Sequence, residues 1–153
     1  MLRQHRVYDV SGGFWELPRA TDSTKESTLE KILLIGFAGA LGAVSRYAAQ
    51  SSVNTLAGGP TVLGTFLVNI SGSFVLGLLV GLSEQGFLPT GPWRSVLAVG
   101  FLGAYTTFST LMLDVTLRGE SGDVASALLN LGASVALGLI AVYGGLLLGR
   151  ALG

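Results

Sequence analysis

Residues 124–149 read VASALLNLGASVALGLIAVYGGLLLG and hold no charged side chain. A helix needs about 20 consecutive apolar residues to cross the hydrocarbon core of a bilayer, and this run is long enough. Three more such runs precede it. Ser95–Leu113 and Leu63–Leu82 carry no charge, and Ile32–Ala49 is interrupted only by Arg46, near its end. Only 12% of the 153 residues are charged, against roughly 25% in soluble domains. The chain is therefore expected to be an all-α membrane protein with four transmembrane helices. The expected spans are 28–50, 61–83, 93–117 and 124–150. Residues 1–27 are polar, lack the apolar core of a signal peptide, and are expected to form a disordered extension to a four-span domain over 28–153.

Four short spans leave little interior for a pore, so function is expected to need an oligomer. Glycine accounts for 23 residues. Gly77/Gly81 and Gly145/Gly149 are spaced as membrane helices space small residues to bring backbones together. There is no cysteine, and the single histidine, His5, lies in the polar leader. That leaves no disulfide, no thiolate metal site and no zinc constellation. Net charge is zero and gives no argument for nucleic acid. No nucleophile–base pair and no glycine-rich phosphate loop with its lysine appears, so an enzyme is not expected.

With four spans both termini share one side. That side holds Arg3, Arg6, Arg19, Lys25, Lys31, Arg94 and Arg150, and the other holds Arg118, with Arg46 counted there if it reaches that interface. The positive-inside rule then places both termini in the cytoplasm of a cell with this protein in its inner or plasma membrane. Without the leader and its flank the bias becomes even, which leaves dual insertion open.

The polar residues inside the spans fall into patterns. Gly100 to Thr110 packs two glycines and the hydroxyls of Thr106, Thr107, Ser109 and Thr110 into one short stretch of the third span. Irregular backbone at membrane depth is tolerated only where protein buries it or where it lines a wet cavity. The third helix is expected to break near Gly103–Thr107, as a pathway lining or as a Gly/Thr seam between helices. Thr61, Thr65, Asn69 and Ser73 recur every four residues and share one helix face, as do Ser126, Asn130 and Ser134. The amides of Asn69 and Asn130 need partners, which either interhelical contact or a pathway supplies. Arg46 and Asp114 are the ionisable residues well inside the apolar segments, where a charge costs about 2.5–3.5 kcal/mol. Arg46 either snorkels to the interface or attracts anions in a vestibule. Asp114 is either a helix cap or a proton-coupled group. Neutral hydroxyl and amide donors without an interior lysine suit a small anion, and the positive edge of the Phe108 ring adds a second device.

Three blocks carry a family resemblance. Residues 39–47, GALGAVSRY, resemble the first-span signature Gly-x-x-Gly-Ala-x-x-Arg-Tyr of the Fluc/CrcB fluoride channels. Residues 64–74, GTFLVNISGSF, resemble that family's Gly-Thr-x-x-Val-Asn-x-x-Gly-Ser-Phe, and residues 100–110, GFLGAYTTFST, its Gly-Phe-x-Gly-Gly-x-Thr-Thr-Phe-Ser-Thr. The resemblance implies passive export of cytoplasmic fluoride through two pores in an antiparallel dimer of the dual-topology type, with a structural sodium ion at its centre. By motif position Asn69 is the pore asparagine, with Thr65 one turn before it, and Phe108 is the first pore phenylalanine. Ser109 and Thr110 belong to the same hydroxyl motif, and Ser134 to the fourth span's polar track. The backbone carbonyls of Gly103 and Thr106 match the sodium ligands, Arg46 the vestibule arginine, and Asp114 a pore-flanking glutamate.

Three positions depart from the pattern. Leu111 replaces the second pore phenylalanine, Asn130 stands where tyrosine is common, and Ala104 replaces a glycine. Leu111 and the charge bias together suggest a subunit of fixed orientation, even a non-conducting one, that pairs with an oppositely inserted homologue. Its expected partners are thus fluoride, the lipid bilayer, and a second subunit in a homodimer or heterodimer. A four-span drug/proton antiporter is the competing reading, but the first span lacks the carboxylate that such a mechanism wants. A purely structural membrane protein is the third.

Overall fold

The computed structural model describes residues 25–87 and 93–152. The regular structure of the described residues is all helical, and four helical segments are long and apolar enough to cross a membrane. Helix α1 spans Lys25–Leu56 and α2 spans Leu63–Glu84. The third span is composite. Its first arm, residues 93–105, is α-helical at Trp93–Ser95, widens to a π-helix over Val96–Leu102 and tightens again at Gly103–Tyr105. Thr106 and Thr107 leave the helix, and α3 resumes over Phe108–Glu120. Helix α4 spans Val124–Ala151. The expected extension over 1–27 lies outside the described residues except for its last three, which open α1.

Helix ends follow from local chemistry. Thr107 caps α3, its hydroxyl accepting from the Thr110 N–H at 3.2 Å, and Asp123 caps α4 by accepting from the Ser126 N–H at 3.3 Å. Both caps satisfy amide donors that the first helical turn leaves orphaned. Gly122, at φ 85°, makes the reversal between α3 and α4.

Two differences from the sequence reading have physical causes. Helix α1 runs six residues past Gln50, and two of its late polar side chains have partners or a cavity to face. Gln50 and Asn54 face a cavity and the start of α2, where Asn54 Oδ1 accepts from the Thr61 N–H at 3.2 Å. Helix α3 likewise continues to Glu120, so Arg118 lies in its last turn rather than in the loop.

Backbone proximity organises the bundle more than side-chain volume does. A Cβ on Gly77 would overlap the carbonyl of Val142, and one on Gly145 the carbonyl of Phe74. A Cβ on Gly81 would lie 2.6 Å from Leu146 O, and one on Gly149 2.6 Å from Leu78 O. The two small-residue pairs therefore face each other across α2 and α4, the close approach that membrane helices use. At the end shared by the termini Glu84 ties the pair, accepting from Arg150 Nε at 2.8 Å. On the other side of the bundle α1 seats the composite arm. A Cβ on Gly42 would strike the carbonyl of Phe101, and one on Gly100 would lie 2.8 Å from Ile35 O. Val68 is the largest fully buried side chain among the described residues, while Phe37, Tyr47 and Ile140 point outward, as a lipid-facing surface allows.

Candidate ion pathway

The break in the third span is held by one side chain. Asn69 Oδ1 accepts from the Thr107 N–H at 2.7 Å, and Asn69 Nδ2 donates to Thr107 O at 3.0 Å. The amide thus takes the place of a neighbouring strand for one extended residue, at φ −149° and ψ 109°. Gly72, one turn further along α2, makes room for the break, since a Cβ there would overlap the Thr106 methyl. The Thr107 N–H would close a helical turn on Gly103 O, but it is turned to Asn69 instead. Thr106 is also extended, at φ −83° and ψ 158°. Its carbonyl receives only a long bond, 3.4 Å, from Arg46 Nη1.

Arg46 is therefore level with the break, ten residues before the end of α1. Asp114 is not a helix cap: Thr107 and Ser121 occupy the ends of α3.

Two cavities flank the clamp. The first, about 470 Å³, opens at the end of the bundle opposite the termini, between α1, α2 and α3. Thr65, Thr110, Asp114 and Arg118 line it. Thr65 is buried and its hydroxyl accepts from Gln50 Nε2 at 3.3 Å. The second cavity, about 430 Å³, lies between α2, the break and α4, and Asn69, Gly103, Thr106, Phe108, Leu111 and Ser134 line it. Arg46 and Ser109 line neither cavity; the other candidate residues divide between the two, with the Asn69–Thr107 clamp between them.

Hydroxyls lead from the first cavity to the exposed edge of the break. Thr110 Oγ1 lies 2.9 Å from Thr107 Oγ1, which lies 3.3 Å from Ser109 Oγ. Thr110 lines the first cavity, Thr107 is buried, and Ser109 is exposed beside Phe108. The Phe108 ring is 71% exposed at the break. Such a relay offers neutral donors through a buried layer without a fixed charge at its centre. On α4, Ser134 Oγ and Asn130 Nδ2 are buried with no partner, so within the subunit Asn130 Nδ2 does not serve as interhelical glue.

The chain matches, over residues 33–146, the family model described as "CrcB-like protein, Camphor Resistance (CrcB)". It belongs to the CrcB family. Among curated relatives it is 40% identical over 120 residues to a fluoride-specific ion channel, FluC, of Hydrogenovibrio crunogenus, covering 78% of this chain and 91% of that protein. It is 46% identical over 119 residues to FluC 1 of Symbiobacterium thermophilum, covering 76% and 95%. With FluC of Photobacterium profundum it shares 38% identity over 118 residues, covering 75% and 93%.

The CrcB segment contains both arms of the broken span, Asn69 and Arg46. Thr107 was absent from the sequence-derived site, although it makes more polar contacts than its neighbours. A threonine followed by a fresh helical turn is a cap signal, and that signal pointed to it. Gln50 and Arg118 were also missed, because Gln50 follows the apolar run 32–49 and Arg118 the expected span 93–117.

Proposed function

We propose that this chain is a subunit of a passive, fluoride-selective channel. The observation that carries the proposal is the clamped break. Asn69 holds one extended residue between two cavities, and neutral hydroxyls run from the first cavity through buried Thr107 to Ser109 beside Phe108. Fluoride, small and strongly hydrated, needs several donors to replace its water, and donors without fixed charge release it again. The relatives' shared name as fluoride-specific channels agrees with that chemistry. Helix α1 has no carboxylate between Ile32 and Leu56, so the drug/proton antiporter has no site for its coupled proton there.

The conducting unit on this reading is an antiparallel dimer. An exposed phenylalanine beside an opened backbone is a poor surface to leave facing lipid, and a second subunit covers it. Gly103 O and Thr106 O fit one half of a hard-cation shell. Gly103 O has lost its Thr107 donor, and Thr106 O has a second lone pair beyond the one Arg46 uses. Two such pairs, one from each subunit, would hold a structural sodium ion and fix the two breaks against each other.

The companion subunit is a homologue of opposite insertion. Lys25, Lys31, Arg94 and Arg150 stand at the termini's end of the bundle, and Arg118 at the other. Such a bias favours one insertion direction, termini inside. Leu111, 5% exposed, takes the place beside Phe108 where a second ring would stand. Fluoride-electrode efflux from proteoliposomes tests the whole reading. The chain with its co-expressed homologue should release fluoride rapidly and chloride hardly at all. Absence of fluoride release from every such preparation refutes it.

A further inference from the structure

The first cavity carries two charged side chains, Asp114 and Arg118, one helical turn apart on α3. Its other polar lining is neutral, Gln50, Asn54, Thr65 and Thr110 among it. Residues at this spacing are neighbours, and an acid placed before a base is the favourable order. Yet Arg118 turns away. Its Nη1 lies 3.5 Å from Asp123 Oδ2, with the two side chains 37% and 48% exposed. Asp114 Oδ2 is left buried without a partner.

One guanidinium thus has two carboxylates within its reach. The outer pair is solvent-exposed and weak. Asp123 also has separate employment, since its Oδ1 caps α4 through the Ser126 N–H. Losing Arg118 costs Asp123 little, whereas Asp114 gains the partner that its buried oxygen lacks.

We propose that Arg118 gates this vestibule by exchanging between Asp123 at the surface and Asp114 on the wall. This rests on the first cavity being a fluoride vestibule. With Arg118 outward, the Asp114 carboxylate repels an approaching anion. With Arg118 inward, the pair is neutral and fluoride reaches Thr65 and Thr110. In its inward position Arg118 meets Asp114 rather than the narrow layer, so it sets the rate of access and not the selectivity.

Two measurements test the exchange, one of them independent of transport. The first is fluoride efflux from proteoliposomes holding the chain with its co-expressed homologue. Arg118→Gln should lower efflux about tenfold at low ionic strength, and less at high salt, where the field is screened. Asp114→Asn in the Arg118→Gln background should restore it, and Asp123→Asn should raise it above wild type. An equal Arg118→Gln defect with and without Asp114 overturns the proposal, because Arg118 then acts on the anion alone. The second is phenylglyoxal modification in detergent, read by mass spectrometry of the peptide carrying Arg118. Asp123→Asn should slow the reaction at Arg118, and Asp114→Asn should not. Equal rates in wild type and Asp123→Asn overturn the exchange. Absence of efflux in wild type together with the expected modification pattern refutes the channel and keeps the Arg118 exchange.

Discussion

Asn69 bonds both backbone groups of Thr107, accepting at 2.7 Å and donating at 3.0 Å, so one side chain holds open the break in the third span. Thr107 is buried, and a buried backbone group without a partner costs about 1–3 kcal/mol. Asn69→Ala leaves both groups unmet and should lower stability by about 2–4 kcal/mol, with the two losses partly shared. A thermal melt of the purified protein reads this directly.

Asn69→Asp separates holding the break from passing an ion. The carboxylate still accepts from the Thr107 N–H, but its second oxygen faces Thr107 O and repels it. It also places negative charge beside the second cavity. Fluoride efflux should fall below detection while the far-UV helical spectrum and the size-exclusion position stay those of wild type. Undiminished efflux from Asn69→Asp removes Asn69 from the pathway.

The fold was legible wherever length and apolarity decide it, since four charge-free runs leave few alternatives to four helices. The break was legible in kind, because two glycines and clustered hydroxyls at Gly100–Thr110 do not suit an uninterrupted lipid-facing helix. Its mechanism was not. A period of four put Thr65, Asn69 and Ser73 on one face of α2, but nothing in that period says the amide of Asn69 would find Thr107 in place of another helix. The π-helical widening of Val96–Leu102 left no mark either. It goes with contacts far away in sequence, Gly100 lying against Ile35 and Phe101 against Gly42. Arg118 escaped because it lies one residue past the expected span 93–117, although α3 continues through it and places it on the lining of the first cavity.

The contact between α2 and α4 predicts a sharp difference between adjacent glycines. A Cβ on Gly145 would overlap the Phe74 carbonyl, whereas one on Gly144 meets nothing within 4 Å. Gly145→Ala should force the two helices apart and lower stability by about 1–3 kcal/mol. Gly144→Ala should be neutral, or stabilising by up to ~1 kcal/mol through helix propensity. Thermal melts of the two variants in one detergent decide the point, and equal losses would refute the close contact of α2 with α4.

Phe108 should matter to flux and not to the subunit's own packing. Its ring is largely exposed, so Phe108→Ile removes little buried contact within the chain. If the ring edge meets fluoride, efflux should fall at least about tenfold, a loss of roughly 1.4 kcal/mol in barrier terms. Circular dichroism should show the same helix content as wild type.

Leu111 lines the same cavity as Phe108 and is buried against it from the α3 side. On the proposed pathway this subunit supplies one ring, Phe108, where the family resemblance implies two, one helical turn apart. If the companion subunit completes the ring set, the chain reconstituted alone should pass fluoride slowly, and co-expression with an oppositely inserted homologue should raise efflux by about tenfold or more, again about 1.4 kcal/mol. Leu111→Phe tests the cause. The cavity beside it, about 430 Å³, has space for a phenyl ring, so the substitution need not overfill a closed core. Efflux from the lone Leu111→Phe protein should then rise towards that of the pair. If lone wild type already matches the pair, the missing ring limits nothing and the need for a homologue falls with it. If Leu111→Phe folds but stays slow while the pair is fast, the partner contributes orientation rather than a ring, and labelling of a C-terminal tag from one side of intact vesicles should then find the lone chain inserted in a single direction.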